Sequence, residues 1–281
     1  MKVVSTERSQ VLAARLAECL HVPIAPVKYT RFPDGEQYLE AGPLDDQMVI
    51  LGSTTSDAAF VQLLLLLDAC EGCDNTLILP YMGYARQDKK FKPGEPLSAR
   101  AVGRALSTGV SSVITVNIHE PAIFEYFKGN PHNVCLSKEV ALYISESGLN
   151  NPLVLAPDKG ASRFAGEVAK KGGWDSDYLE KTRHSGESVT MEPKSMEVKG
   201  RDVVIVDDII STGGTLVTAT SMLYSQGARS IQAVCVHGVL IGGAYSRMRS
   251  AGIRNVSSSD TIESVTTRFS AVASLADVLK K

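Results

Sequence analysis

The chain has 281 residues, 44% of them hydrophobic, and a formal net charge of −2. That length suits one large domain or two medium ones, and the dispersed charge offers neither a dense basic run for nucleic acid nor an acidic tail. The N-terminus "MKVVSTERSQ" lacks the basic start and apolar core of a signal peptide, and the most apolar stretch, "AAFVQLLLLLDAC" (58–70), is too short for a bilayer. A soluble cytoplasmic protein with no membrane or nucleic-acid partner is expected.

In "RFPDGEQYLE" (31–40), Asp34-Gly35 predicts a turn between extended segments. A strand follows at "MVILGS" (48–53), then a buried helix over 58–70. The CxxC made by Cys70 and Cys73 has no second CxxC and no nearby His pair, so it reads as packing. Five cysteines without a secretory signal indicate a reducing compartment. After the strand "TLILPY" (76–81), "YARQDKK" groups Arg86, Gln87, Lys89 and Lys90 in a basic turn, and "PLSARAVGRALSTG" (96–109) has helical spacing. The strand "SVITVNI" (112–118) precedes His119; alone, such a histidine is more often structural than functional.

The Ser/Gly/Asn/Pro-rich "SESGLNNP" (145–152) suggests a boundary, giving domains 1–148 and 149–281. The strand "LVLAPD" (153–158) leads into a small loop, Asp158-Lys159-Gly160-Ala161-Ser162, and a helix over 162–173. "DYLEKTRHSGESVT" (177–190) carries Lys181 and Arg183 two residues apart, which places them on one face if the segment is a strand; by itself it reads as a charged hairpin. Two more strands follow at "DVVIVDD" (202–208) and "IQAVCVHG" (231–238). Their apolar runs are continuous and helices lie between them, which predicts an α/β fold with mainly parallel sheets. The halves echo each other: a glycine follows the first valine of a strand at equal spacing in both (72 − 49 = 23; 227 − 204 = 23). Where the second copy has Asp207-Asp208, the first has Gly52-Ser53.

"VVIVDDIISTGGTL" (203–216) puts two acids directly before a loop of hydroxyls and glycines. Ser211, Thr212 and Thr215 supply donors, Gly213 and Gly214 allow close backbone approach, and a helix starting near Thr215 favours an anion. The lysine of a P-loop is absent, so a phosphate monoester fits better than a triphosphate. Asp207 and Asp208 suit sugar hydroxyls or Mg²⁺, and a sugar phosphate answers both halves of the motif; a helix cap alone explains the second half only.

This stretch resembles the phosphoribosyl diphosphate-binding motif of type I phosphoribosyltransferases. With "RFPDGEQYLE", "YMGYARQDKKFKPGEPLSAR" (81–100), "NIHEPAIFEYF" (117–127) and "APDKGASRFA" (156–165) in order, the chain resembles ribose-phosphate diphosphokinases over nearly its whole length. The resemblance implies two tandem phosphoribosyltransferase-like domains and transfer of the ATP diphosphoryl group to the 1-hydroxyl of ribose 5-phosphate, with Mg²⁺. It further implies ATP contacts from Phe32, Asp34, Glu36, Arg86, Gln87 and His119, with the first three reaching a neighbouring subunit. A homo-oligomer, at least a dimer sharing its ATP site, follows from that. By the same resemblance Asp207, Asp208 and 211–215 hold ribose 5-phosphate, Asp158 to Ser162 cradle diphosphate, His119 and Asp158 lie near the metal, and Lys181 and Arg183 open the catalytic loop. Asn117 and Ser211 stand where bacterial and animal members carry acids, and "TGGT" with the short length is closer to archaeal members. Two alternatives stay open: a transferase consuming the diphosphate product, and a non-catalytic regulatory homologue.

Overall fold

The computed structural model describes residues 1–185 and 188–280, with the backbone alone for the 181–192 stretch. The first compact unit runs over Met1–Cys135 and takes in Thr261–Glu263 and the C-terminal segment from Ser270. Its elements begin with β1 (Lys2–Ser5), α1 (Gln10–Leu20), β2 (Val27–Arg31), β3 (Gln37–Ala41), β4 (Gln47–Leu51) and α2 (Asp57–Ala69). They continue with β5 (Asp74–Leu79), α3 (Ser98–Leu106), β6 (Ser112–Val116) and β7 (Asn130–Val134). A parallel sheet in the order β1-β4-β5-β6-β7 forms the centre, and β2 and β3 make a separate antiparallel hairpin.

Ile50, Leu77, Leu79 and Val113 from the strands pack with Leu63 and Leu66 of α2 and Leu106 of α3. Helix α2 starts where Ser56 Oγ accepts from Ala59 N at 3.2 Å, and it is apolar almost throughout. It is nevertheless buried on one face only: Val61 and Leu65, one turn apart, are exposed. Cys70 lies in this core, where burial pushes its thiol up to about 11, and all five thiols are free.

The second unit covers Leu136–Asp260 and Ser264–Phe269. It contains α4 (Ser137–Glu146), β8 (Leu153–Ala156), α5 (Ser162–Gly172), β9 (Ser176–Ser185), β10 (Ser188–Pro193) and β11 (Asp202–Ile210). After these come α6 (Gly214–Ser225), β12 (Ser230–Gly238), α7 (Ala244–Ser250), β13 (Val256–Ser259) and β14 (Thr267–Phe269); α8 (Val272–Leu279) returns to the first unit and packs on α1. Helix α4 runs into the first residues of the Ser/Gly/Asn/Pro-rich stretch (145–152) and groups with the second unit. It packs on α5, and Tyr143 reaches Ser257 Oγ at 2.7 Å and the Phe269 ring at 5.7 Å.

The second sheet has the order β10-β9-β8-β11-β12-β13-β14, parallel except for β10. Val203 to Val206 are all buried, as expected of a central strand covered on both faces. The repeat seen in the sequence is a structural one: β4-α2-β5 and β11-α6-β12 are both parallel β-α-β units, and Gly72 and Gly227 take positive φ at 87° and 90°.

At the amino end of this sheet, buried Asp202 accepts from Arg229 Nε at 2.9 Å and from Ser230 Oγ at 2.6 Å. The Arg229 hydrogen bonds foremost, then that of Ser230, hold its carboxyl below the usual carboxylate range. A lowered carboxyl contributes stability above the unfolded value of about 3.9 and loses it as pH falls through the folded value. Asp202→Ala is therefore expected to lower stability by about 1–3 kcal/mol at neutral pH, because Ser230 loses its buried partner. The gap should narrow as pH falls below about 4, where the charged part of the contribution is lost; urea midpoints across pH check this, and an unchanged midpoint at pH 7 contradicts it.

Candidate functional site

The chain runs from β8 outward to β9 and later resumes at β11 on the other side of β8. Strand order thus reverses between β8 and β11, and the carboxyl ends of these two strands flank the crevice where open α/β sheets bind ligands. In the first sheet the order advances in one direction only, so it has no such crevice.

Strand β11 outruns its neighbour. It pairs with β8 only through Ile205, whereas pairing with β12 continues to Ile210. Asp207 and Asp208 are consequently not at the strand end predicted from sequence but inside β11, along the stretch whose β8-side edge is open. Asp208 N donates to Asp207 Oδ1 at 2.9 Å, and Ile209 N donates to Asp208 Oδ1 at 2.9 Å. Burial foremost, then a hydrogen bond from Asp208 and the charges of Asp208 and Asp158, pushes the Asp207 carboxyl well above the usual range. Asp158 thus stands close enough to Asp207 for its charge to be felt, although among the described residues no three acids are placed to hold a metal ion.

Asp158 follows β8 by two residues and is exposed. Its Oδ1 accepts from Gly160 N at 2.8 Å and Ala161 N at 3.2 Å, while Ser162 Oγ donates to the Lys159 carbonyl at 2.6 Å. One carboxylate oxygen therefore shapes the 158–162 turn, and the other is available to a ligand.

The 211–215 loop turns into α6 at Gly213, whose φ of 71° and close approach to Met248 (a Cβ would lie 3.0 Å from its Cγ) both require glycine. Arg247, on α7, was not singled out from sequence. Its Nη2 donates to the Thr212 carbonyl at 2.7 Å, and its Nη1 donates to the Gly242 carbonyl. The only sequence signal was its place nine residues beyond the end of β12 (247 − 238 = 9).

The equivalent loop of the first unit is filled by its own groups. Ser53 is buried, donates to the Thr261 carbonyl at 2.7 Å and accepts from Tyr81 N at 3.2 Å. Its own N–H goes to Ser9 Oγ at 3.0 Å. A Cβ on Gly52 would lie 2.8 Å from Leu63 and 2.9 Å from Thr6. Replacement of the acids by Gly-Ser thus accompanies a closed loop.

Other residues of the first unit carry exposed polar groups. Phe32, Asp34 and Glu36 lie in the exposed turn of the β2-β3 hairpin, closed by Phe32 N to the Glu36 carbonyl at 2.9 Å. The Phe32 ring is held edge-on by Tyr38 at 5.7 Å. Arg86 is exposed; Gln87 Oε1 accepts from Ser98 Oγ at 2.8 Å, so its carbonyl secures the start of α3 and leaves its amide N–H groups for recognition. Tyr84, in the same loop, takes a positive φ of 65° and donates to Asp57. His119 is exposed three residues beyond the end of β6.

Lys181 and Arg183 lie on β9, paired in the backbone with Met191 and Val189; their side chains are outside what is described. Strand β9 pairs with β8 only as far as Tyr178 opposite Ala156, so both residues belong to a ribbon that continues past the carboxyl end of β8. No helix among the described residues is long and apolar enough to cross a membrane.

Residues 1–109 match the model for the N-terminal domain of ribose phosphate pyrophosphokinase, and residues 128–270 match the phosphoribosyl transferase domain. A ribose-phosphate pyrophosphokinase of Methanosarcina acetivorans is 43% identical over 284 residues, covering 100% of each chain. That of Methanopyrus kandleri is 40% identical, covering 100% of this chain and 99% of its own. The crystal structure of phosphoribosylpyrophosphate synthetase from Mycobacterium smegmatis superposes with a TM-score of 0.85 at 27% identity, covering 99% of this chain and 97% of that one.

Proposed function

The chain belongs to the ribose-phosphate pyrophosphokinase family, and from that premise we infer how its residues move the diphosphoryl group of ATP to the 1-hydroxyl of ribose 5-phosphate. The products are 5-phospho-α-D-ribose 1-diphosphate, which enters nucleotide biosynthesis, and AMP. The observation that carries the assignment is the switch-point crevice, where Asp158, Asp207 and Asp208 stand beside a cationless hydroxyl and glycine loop.

In this reading Asp207 and Asp208 accept hydrogen bonds from the ribose hydroxyls, and the N–H and hydroxyl groups of 211–215 take the 5-phosphate. Residues 158–162 cradle the diphosphate. The second unit is the sugar-phosphate domain; the first supplies nucleotide contacts through Arg86, Gln87 and His119, and through Phe32, Asp34 and Glu36 toward a neighbouring copy. The enzyme is then a cytoplasmic homo-oligomer, at least a dimer.

Mg²⁺ prefers oxygen donors, and the exposed Asp158 carboxylate offers one. Among the described residues no three His, Cys, Asp or Glu side chains are placed to hold a metal ion, so phosphate oxygens and water would complete its shell, and His119, a nitrogen donor, would be the poorer ligand. When bound, the ion supplies positive charge to phosphate oxygens. The 1-oxygen of the sugar attacks the β-phosphorus, the bond from that phosphorus to the α-phosphate oxygen breaks, and the hydroxyl proton passes to solvent as AMP leaves. Lys181 and Arg183 offset charge developing on the transferred group, and catalysis rests on positioning and electrostatics.

AMP release with ATP, Mg²⁺ and ribose 5-phosphate, each omitted in turn, tests this. All three are expected to be needed. Conversion of the diphosphate sugar and a nucleobase into a nucleotide, without AMP release, supports the transferase reading instead.

A further inference from the structure

The phosphate loop contains no cation between Ser211 and Thr215. A phosphate dianion there meets neutral donors only, so the loop itself supplies no opposite charge and the alignment of its N–H groups decides how well the anion is held. We propose that Arg247 serves as the positioning residue of this loop, acting through the Thr212–Gly213 peptide to set the affinity for the 5-phosphate. The proposal rests on the assignment of the 211–215 loop to that phosphate.

Two observations place α7 in this role. From one side, the Arg247 guanidinium bridges two loops at adjacent strand ends, donating to the carbonyls of Thr212 (2.7 Å) and Gly242. From below, buried Met248 of the same helix packs against Gly213 so closely that no side chain fits there. A peptide unit is planar and trans, so its carbonyl and the following N–H point in opposite directions. Fixing the Thr212 carbonyl on Arg247 therefore turns the Gly213 N–H away from α7, toward the open side of the loop. The guanidinium also polarises that peptide, which strengthens the N–H as a donor to an anion.

The neighbouring loop reinforces the geometry. Leu240 N donates to the Ile210 carbonyl at 3.1 Å, and Leu240, Gly242 and Gly243 all take positive φ. The chain is bent there so that the Gly242 carbonyl meets Arg247. The cation missing from the motif is thus delivered from a helix 35 residues further along the sequence.

Arg247 is exposed, so substitution is expected to leave the fold intact. In steady-state kinetics Arg247→Ala should raise KM for ribose 5-phosphate by roughly 10- to 100-fold, as for losing one hydrogen bond to a charged group. KM for ATP should stay within about twofold and kcat within about threefold, since the lost alignment concerns binding of one substrate. Arg247→Lys retains charge but not the two-pronged bridge, and should recover part of the loss. Gly213→Ala serves as the reference, because it disturbs the loop directly. If it raises KM for ribose 5-phosphate and Arg247→Ala does not, Arg247 has no such role while the loop assignment stands. If neither variant alters that KM, the loop assignment itself fails. Equal loss of kcat and of affinity for both substrates in Arg247→Ala, with no recovery in Arg247→Lys, indicates a merely structural residue and also overturns the proposal.

Discussion

Lys181→Ala is expected to lower kcat by at least roughly 100-fold, the scale of one preorganised electrostatic contact to developing charge. The backbone is the reason for expecting a catalytic rather than a folding effect. Strand β9 leaves the sheet beside Tyr178, and Lys181 and Arg183 come three and five residues later, on a ribbon paired only with β10. At about 3.3 Å per residue they stand roughly 10 and 16 Å along the ribbon from the last rung with β8. Residues so placed contribute little to the core of the sheet, so thermal stability should be unchanged. Both KM values should move less than kcat if the interaction strengthens as charge develops. Wild-type turnover in the variant rejects the assignment, and it would also revive the reading of 177–190 as an ordinary charged hairpin.

On the proposed assignment Asp207→Asn is expected to reduce kcat/KM for ribose 5-phosphate by at least roughly 100-fold, as charged hydrogen bonds to the sugar would go with the carboxylate, and to make the ligand-free protein more stable. Burial and two neighbouring acids raise the Asp207 carboxyl. A raised carboxyl binds its proton more tightly folded than unfolded, so deprotonation costs stability. That cost is complete above the folded-state pKa and vanishes below the unfolded value of about 3.9. Asparagine removes the charge yet keeps an oxygen for the Asp208 N–H. The melting temperature should rise by about 2–4 °C at pH 8 for each kcal/mol relieved, and the gain should shrink as pH falls toward about 4. Scanning calorimetry over that range checks the sign. A variant destabilised at pH 8 shows that the acids are held by stabilising partners, contrary to the crowding described above.

Much of this arrangement was legible because buried parallel strands leave an unmistakable trace. Val203 to Val206, Leu77 to Leu79 and Leu153 to Leu155 are continuous apolar runs, and each lies in a buried strand. Loops between such strands and helices mark the ligand end of a sheet, so the loops at 158–162 and 211–215 stand out from local pattern, while the role proposed for Asp158 comes from the family resemblance. Polar strands were not. β13 reads "VSSS" and is fully buried, because Ser259 Oγ donates to the Val236 carbonyl at 2.7 Å and Ser258 meets Thr266 Oγ1 at 2.8 Å. β7 contains a proline and lies at the sheet edge, where a missing donor is tolerated.

The interior placement of Asp207 and Asp208 also escaped a one-dimensional reading. How far β11 continues depends on β12, which pairs with it past the acids, and not on the acids themselves. Arg247 escaped for a related reason: its partner is a backbone carbonyl, which leaves no mark in the sequence. Gln87 shows the converse. The family resemblance implies nucleotide contact for it, and part of its side chain also secures Ser98 at the start of α3.

The most direct test follows phosphorus. In ³¹P NMR of the enzyme with ATP, Mg²⁺ and ribose 5-phosphate, the β- and γ-phosphorus signals should move together into a diphosphate bonded to the sugar C1, with AMP formed in equal amount. ATP left intact, or cleaved to ADP and phosphate with no phosphorus on C1, contradicts diphosphoryl transfer at the Asp207-Asp208 crevice.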